Sequence, residues 1–208
     1  MVCAGLLYSP AIGAFYPEQP EIAYQNTHKI SLFDIGYARD ISSVVAAMTA
    51  ASMSANPTKE SVLGTLRIDP ENYFKSRLVG RSSYKLYRSA LYIVDLAKKS
   101  KNPMETAFAE LDKQNQDMPF HAGEIYLQVL TAMLFSDFDY LKTMEFLVNY
   151  GRDNDTTSAI AGGILGAYHG FTKLPADKDR VIKVAKEKLD IDLKALAQEL
   201  SDKIWQLK

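Results

Sequence analysis

The sequence lacks the features that mark disulfide-stabilised, membrane-spanning or secreted proteins. Its 208 residues include one cysteine, Cys3, so an internal disulfide framework is excluded and a reducing compartment is favoured. No apolar run is long enough to cross a bilayer, and the first residues lack the basic flank and cleavage site of a signal peptide. We therefore predict a cytoplasmic protein that is not a membrane protein. Nothing in the sequence supplies Cys3 with a base, and we interpret it as a small buried residue.

A strong charge of either sign is also missing. There are 24 basic and 25 acidic residues, so the net charge is −1 and no global field attracts nucleic acid. Basic and aromatic residues alternate between Lys75 and Val94 without an acid, a pattern that can bind a nucleic-acid backbone. Because the net charge is near zero, we interpret this stretch as an amphipathic helix with solvated basic groups. We expect no nucleic-acid partner.

The alternation of apolar and polar residues that is typical of strands is missing too, and helical periodicity takes its place. The predicted fold class is all-α, with nine or ten helices and a loop over residues 70–80. No shift in composition marks a boundary, so we predict one all-helical domain over residues 1–208. The predicted helices cover residues 20–31, 39–54, 58–66, 82–99, a segment from 102, 122–135, 139–150, 155–170, 177–189 and 192–207.

The segment richest in chemistry is Gly-Arg-Asp-Asn-Asp-Thr-Thr, residues 151–157, at a predicted helix start. Asp153, Asp155 and Thr156 place two carboxylates and a hydroxyl close together, and such oxygen ligands suit a hard cation. The same residue types are also the commonest helix caps. From this pattern alone, capping is favoured over metal binding by about two to one.

Four glycines follow within the same predicted helix. Each costs about 1 kcal/mol in a helix interior, so their number needs a reason. We predict a face free of side chains, where another helix or a ligand comes very close, and this shifts the balance towards a binding site. The glycines are Gly162, Gly163, Gly166 and Gly170.

Residues 151–170 resemble a motif of the ADP-ribosylglycohydrolases, which include the dinitrogenase-reductase-activating glycohydrolases. The usual form of this motif is G-x-D-x-D-T/S, followed by an alanine-rich run that ends in G-x-x-x-G-A-x-x-G. The resemblance covers most of the chain and is weakest between Lys75 and Gln116. Further segments similar to the family are residues 11–13, 20–24, 27–28, 39–53, 137–138, 148–150 and 174–175.

The resemblance implies an all-helical fold that hydrolyses the glycosidic bond between ADP-ribose and an acceptor. It implies that Asp153, Asp155 and Thr156 are ligands of one or two Mg²⁺ ions beside the ribose. It also implies that His28, which follows a threonine in an earlier helix, lines the ADP-ribose cleft. From its own surroundings in the sequence, a packed histidine is favoured over a ligand contact by about three to one, and with the resemblance the two interpretations are about equal.

The sequence departs from the family pattern at the other half of the metal site. The family takes further metal ligands from an S/T-D-D motif, and this sequence contains no Asp-Asp pair. The family's early acidic residue and its glycine-rich phosphate loop would lie upstream of Met1. The chain therefore resembles the C-terminal part of the family fold, with the N-terminal part missing, a half-complete metal site and an unknown catalytic acid. We expect weak or absent hydrolysis by this chain alone.

Two other functions stay open at this point. One is a non-catalytic module that binds ADP-ribose or a related nucleotide in the same cleft. The other is a purely structural helical domain in which Asp155 serves as a cap. In the structural domain, Asp155→Ala would change the stability by about 1 kcal/mol, without any dependence on metal.

The missing N-terminal part also leads to a prediction about assembly. A surface that this part covers elsewhere in the family would be exposed here, and exposed apolar surface promotes association. Such a surface would favour self-association, seen as a mass in light scattering that increases with concentration, whereas the sequence itself leaves the oligomeric state open. A constant monomer mass would contradict this expectation.

Overall fold

The computed structural model describes residues 2–30, 34–76 and 80–206, and within them it confirms the predicted all-α class. These residues form eleven α-helices and no strand, with one isolated β-bridge between Val2 and His121. The helices are α1 (Ala4–Phe15), α2 (Pro20–Ile30), α3 (Tyr37–Ser52), α4 (Lys59–Gly64), α5 (Ser82–Lys98), α6 (Pro103–Asp112), α7 (Ala122–Phe135), α8 (Tyr140–Tyr150), α9 (Asn154–His169), α10 (Lys178–Leu189) and α11 (Leu193–Gln206).

Helix α1 is the main departure from the predicted helices. Pro10 lies inside it, and Gly5 and Gly13 weaken its helical propensity. It forms nevertheless because it packs against α3 and α9, where Leu6 is fully buried. The described residues therefore contain one or two helices more than predicted. In the predicted loop, Tyr73–Lys75 form a single 3₁₀ turn; residues 77–79, and the last residue of the predicted helix 20–31, lie outside the described residues.

Helices α3 and α7 form the centre of the fold. Both have apolar residues around most of their circumference, a pattern that predicts burial on all sides. Helices α1, α2, α5 and α9 pack around α3, whereas α5, α8 and α9 pack around α7. Because α9 contacts both central helices, its first turn is fixed relative to the core.

A buried ion pair ties the start of α5 to α3. Asp40 is 1% exposed, and Arg81 lies with its Nη2 atom 3.1 Å from Asp40 Oδ1. Tyr24 and Ser83 donate hydrogen bonds of 2.6 and 2.5 Å to the Asp40 carboxylate. A buried charge is tolerated when it is paired and hydrogen-bonded, as the Asp40 carboxylate is here. Arg81, which belongs to the basic and aromatic stretch of the sequence, is therefore an internal residue.

The glycines of α9 have different roles. A Cβ atom at Gly163 would lie 2.9 Å from the Cβ atom of Pro10, so the predicted close approach of another helix is confirmed there, with α1 as the partner. Gly170 ends α9 in a conformation with φ of 75°, which favours glycine. At Gly166, a Cβ atom would meet nothing within 4 Å among the described residues, so no helix comes close there and the predicted approach of a ligand stays a prediction.

The C-terminal helices α10 and α11 pack against each other as a hairpin. Val181, Leu189 and Trp205 on this hairpin are 61%, 65% and 72% exposed. Its sequence is amphipathic rather than continuously apolar. Across the described ranges, none of the helices has both the length and the apolar composition needed to cross a bilayer.

The packing of α1 against the segment before α3 leads to a prediction. A Cβ atom at Gly5 would lie 1.6 Å from Oδ2 of the buried Asp34 and 2.7 Å from Ser42 Oγ. We expect Gly5→Ala to lower the free energy of unfolding by about 1–3 kcal/mol, since neither neighbour can move into solvent. The control is Gly64→Ala, whose Cβ atom would meet no atom of the described residues within 4 Å. It should raise the stability by up to about 1 kcal/mol. Urea unfolding measures both, and an unchanged midpoint for Gly5→Ala would contradict the packing.

Candidate active site

The predicted metal ligands lie at the first turn of α9. Gly151 and Arg152 have φ angles of 79° and 57°, and they reverse the chain between α8 and α9. Asp153 occupies the N-cap position, but its side chain accepts no capping hydrogen bond from the backbone. Thr156 Oγ1 instead donates a hydrogen bond of 3.0 Å to Asp153 Oδ1. Capping is therefore not the role of the Asp153 carboxylate in this structure.

The carboxylates of Asp153 and Asp155 lie next to each other, the first half-buried and the second exposed. Burial raises the pKa of Asp153 above its ordinary value. The hydrogen bond from Thr156 lowers this pKa in part, and the neighbouring Asp155 and the more distant Glu124 raise it again. Two like charges at short range are unfavourable, and a bound cation would relieve their repulsion.

The donor set fits part of the coordination shell of a hard cation. Two carboxylates and a hydroxyl are oxygen ligands of the kind that Mg²⁺ prefers. In the described part of the chain, no group of three or more His, Cys, Asp or Glu side chains forms a complete metal site. Mg²⁺ commonly uses one or two carboxylates and keeps several waters, so these three side chains suffice for a partial site that water or substrate oxygens complete.

The first residues of α1 lie beside this acidic turn. The backbone N–H of Cys3 donates to the carbonyl oxygen of Phe120, just before α7, over 3.0 Å. Burial raises the pKa of the Cys3 thiol, and the carboxylates of Asp153, Asp34 and Asp155 raise it further. The thiol is therefore held in its neutral form. This environment agrees with the interpretation of Cys3 as a small buried residue.

Asp34 is an acid near the site that the sequence did not reveal. It is 3% exposed, and its carboxylate accepts a hydrogen bond of 3.1 Å from the backbone N–H of Gly5 and another from Ser42 Oγ. Its position in the sequence, just before Gly36, predicted only a break between helices. An aspartate in a loop is usually exposed, so nothing in the local pattern indicated its burial.

Glu124 is the second acid that the sequence did not reveal. Its side chain is 2% exposed, and Arg152 Nε donates a hydrogen bond of 2.5 Å to its Oε1 atom. The sequence does contain a signal for this pair. Glu124 is the only charged residue of α7, and a lone charge on a buried apolar helix requires a partner.

His28 belongs to a different group of contacts, the polar network around Asp40. Its Nε2 atom lies 3.2 Å from Tyr73 Oη, and its ring stacks on Tyr24 with centroids 5.8 Å apart. Its Nδ1 atom lies 3.5 Å from a carboxylate oxygen of Glu71. Burial lowers the pKa of His28, which favours the neutral ring. The structure thus brings the three predicted metal ligands together, whereas the ligand contact predicted for His28 stays a prediction.

A cleft of about 320 Å³ lies beside Glu124, on the side where α5 and α7 approach each other. Tyr37 and His121 form part of its wall and are hydrogen-bonded to each other through Tyr37 Oη and His121 Nε2. Lys85 contributes a cationic side chain to the same wall. His121 was not among the predicted site residues, and the structure places it in this cleft.

The fold and the acidic turn define a class of protein: an all-helical domain whose D-x-D-T residues open a glycine-rich helix. The family model described as ADP-ribosylglycohydrolase matches residues 2–207, nearly the whole chain. The chain therefore belongs to the ADP-ribosylglycohydrolase family, as the resemblance of its sequence predicted. Comparisons with curated proteins and with solved structures gave no significant match.

The raised pKa of Asp153 leads to a prediction about stability and pH. The folded protein binds a proton at Asp153 more readily than the unfolded chain does. The stability of the metal-free protein therefore falls as the pH rises from the ordinary aspartate pKa through the raised one. Asp153→Asn should remove this dependence. The substitution should raise the free energy of unfolding at pH 7 by about 0.5 kcal/mol, a figure reduced for solvent screening. This corresponds to a rise of about 1–2 °C in melting temperature.

Calorimetry in a chelator between pH 3.5 and 7 measures this effect. The Asp153 side chain makes no capping hydrogen bond to the backbone, so the substitution does not weaken the start of α9. A lower melting temperature for the variant at pH 7 would show that the Asp153 carboxylate stabilises the metal-free protein, contrary to the expected repulsion.

Proposed function

We propose that this member of the family hydrolyses the glycosidic bond between ADP-ribose and an acceptor, with Mg²⁺ held by Asp153, Asp155 and Thr156. The observation that carries the proposal is the convergence of two carboxylates and a hydroxyl at the start of α9. The acids and the hydroxyl are held together rather than spread along the helix, and their mutual repulsion favours cation binding.

We propose separate roles for the cation and for the residues that hold it. A bound Mg²⁺ would orient the ribose hydroxyls and lower the pKa of a water near the anomeric carbon. The hydrogen bond from Thr156 fixes the orientation of the Asp153 carboxylate.

We propose further that His28 contacts the ADP-ribose moiety. Its ring is neutral because burial lowers its pKa, so it has one nitrogen free of a proton that can accept a hydrogen bond from a hydroxyl. The side chain is 8% exposed, so this contact requires Tyr73 or Glu71 to move aside.

The single cysteine supports the accompanying proposal of a cytoplasmic location.

A second candidate function is the binding of ADP-ribose without turnover. It is favoured by the lack of an Asp-Asp pair in the sequence, because the S/T-D-D motif supplies the other metal ligands in the family. A partial cation site can still hold a ligand through its ribose hydroxyls, even where proton transfer to the leaving group is not supported.

Calorimetric titration with ADP-ribose, with and without Mg²⁺, tests the shared part of both candidates. We expect binding in the presence of Mg²⁺ that weakens at least tenfold in a chelator and in Asp155→Ala, because the substitution removes one carboxylate ligand. The matched control is Asp139→Ala. Asp139 is a true N-cap whose side chain accepts a hydrogen bond of 2.9 Å from the Lys142 N–H.

The two variants should behave in opposite ways. Asp139→Ala should lose about 1 kcal/mol of stability and keep Mg²⁺-dependent binding. Asp155→Ala should keep most of its stability and lose that binding. The reverse pattern, or binding that is independent of metal, would support a purely structural role for Asp155. Release of ADP-ribose from modified arginine, modified serine and an acetyl ester then separates the enzyme from the binding module.

A further inference from the structure

The turn that carries the acidic pair is held in an unusual backbone conformation. Arg152, the residue before Asp153, has a φ of 57°, in the left-handed region that side-chain-bearing residues rarely adopt. It follows Gly151, whose φ of 79° lies in the same region. Such a conformation persists only where surrounding contacts determine it, so the contacts of Arg152 fix the backbone position of Asp153.

Those contacts form a clamp between Arg152 and Glu124. The Nε and Nη2 atoms of Arg152 donate hydrogen bonds of 2.5 and 3.2 Å to the two carboxylate oxygens of Glu124. Nη2 also donates a hydrogen bond of 2.6 Å to the carbonyl oxygen of Gln116. This bidentate geometry specifies the direction of the guanidinium as well as its charge.

Glu124 is itself fixed from several directions. It lies in the first turn of the buried helix α7. One carboxylate oxygen accepts a hydrogen bond of 2.7 Å from the backbone N–H of Gln116, and the other accepts one of 3.1 Å from Gln128 Nε2. The buried carboxylate is thus an immobile anchor in the core, and Arg152 connects it to the turn at the surface.

We propose that Glu124 and Arg152 are positioning residues for the acidic turn, and that their clamp sets the affinity of Asp153 and Asp155 for a divalent cation. This inference rests on the proposed function for the cation and adds residues that the D-x-D-T pattern does not include. The clamp acts through geometry: it fixes the backbone from which both carboxylates project.

Charge and geometry predict opposite results for one substitution. Arg152 is a cation beside a cation site, so its charge alone repels Mg²⁺, and Arg152→Gln would then tighten Mg²⁺ binding. If the clamp positions the turn, Arg152→Gln loosens the turn and weakens the binding. Glu124→Gln weakens Mg²⁺ binding by the charge argument and by the geometry argument alike. Arg152→Lys keeps the charge and loses the bidentate contact.

The first measurement is a calorimetric titration of the purified chain with Mg²⁺ alone. We expect the dissociation constant to rise about tenfold in Arg152→Gln and in Glu124→Gln, and by a smaller factor in Arg152→Lys. The double substitution should be no weaker than either single one, because both remove the same clamp. Unchanged or tighter binding in Arg152→Gln would overturn the proposal. If Arg152→Gln does not fold, Arg152→Lys decides, and unchanged binding in that variant has the same meaning.

Hydrogen exchange in the metal-free protein provides a second measurement that needs no cation. The amides of residues 151–158 should exchange faster in Glu124→Gln than in the unsubstituted chain. The control is Leu130→Val, a change at a fully buried position of the same helix that destabilises the core without touching the clamp. Equal exchange in both variants would overturn the clamp. Failure of the unsubstituted chain to bind Mg²⁺ would instead overturn the cation part of the proposed function.

Discussion

The close approach of α1 to α3 and α9 is the constraint on which the site depends. Pro10 lies where a side chain on Gly163 would have to be, and the Asp34 carboxylate lies where a side chain on Gly5 would have to be. Because α1 lies against both α9 and the segment before α3, Cys3 at the start of α1 lies near the first turn of α9. Larger side chains at either glycine would separate the helices and move the acidic turn away from Cys3 and Asp34.

The acids gathered near this end of the fold differ in how their charge is balanced. Asp34 accepts hydrogen bonds from Gly5 and Ser42, and Glu124 pairs with Arg152. Asp153 and Asp155 are held next to each other with the Thr156 hydroxyl, and in the described parts of the chain neither forms an ion pair with a basic side chain. The first two acids thus serve the structure, and the last two are the pair that we propose to bind a cation.

The sequence predicted the parts of the structure that depend on local patterns. Helical periodicity identified ten of the helices, and the D-x-D-T residues proved to be neighbours in space as well as in sequence. It did not predict α1, whose proline and glycines argue against a helix unless α3 and α9 lie alongside. Nor did it reveal Asp34 or the partner of Glu124, since both depend on contacts between segments far apart in the chain. The placement of His28 beside Tyr73, 45 residues away, is of the same kind.

The buried thiol of Cys3 has a consequence of its own. Burial is the largest cause of its raised pKa, and the carboxylates of the acidic turn add to it. Because the thiol is buried and protonated in the folded protein, alkylation of Cys3 reports the opening of this end of the fold rather than the charge of the acidic turn.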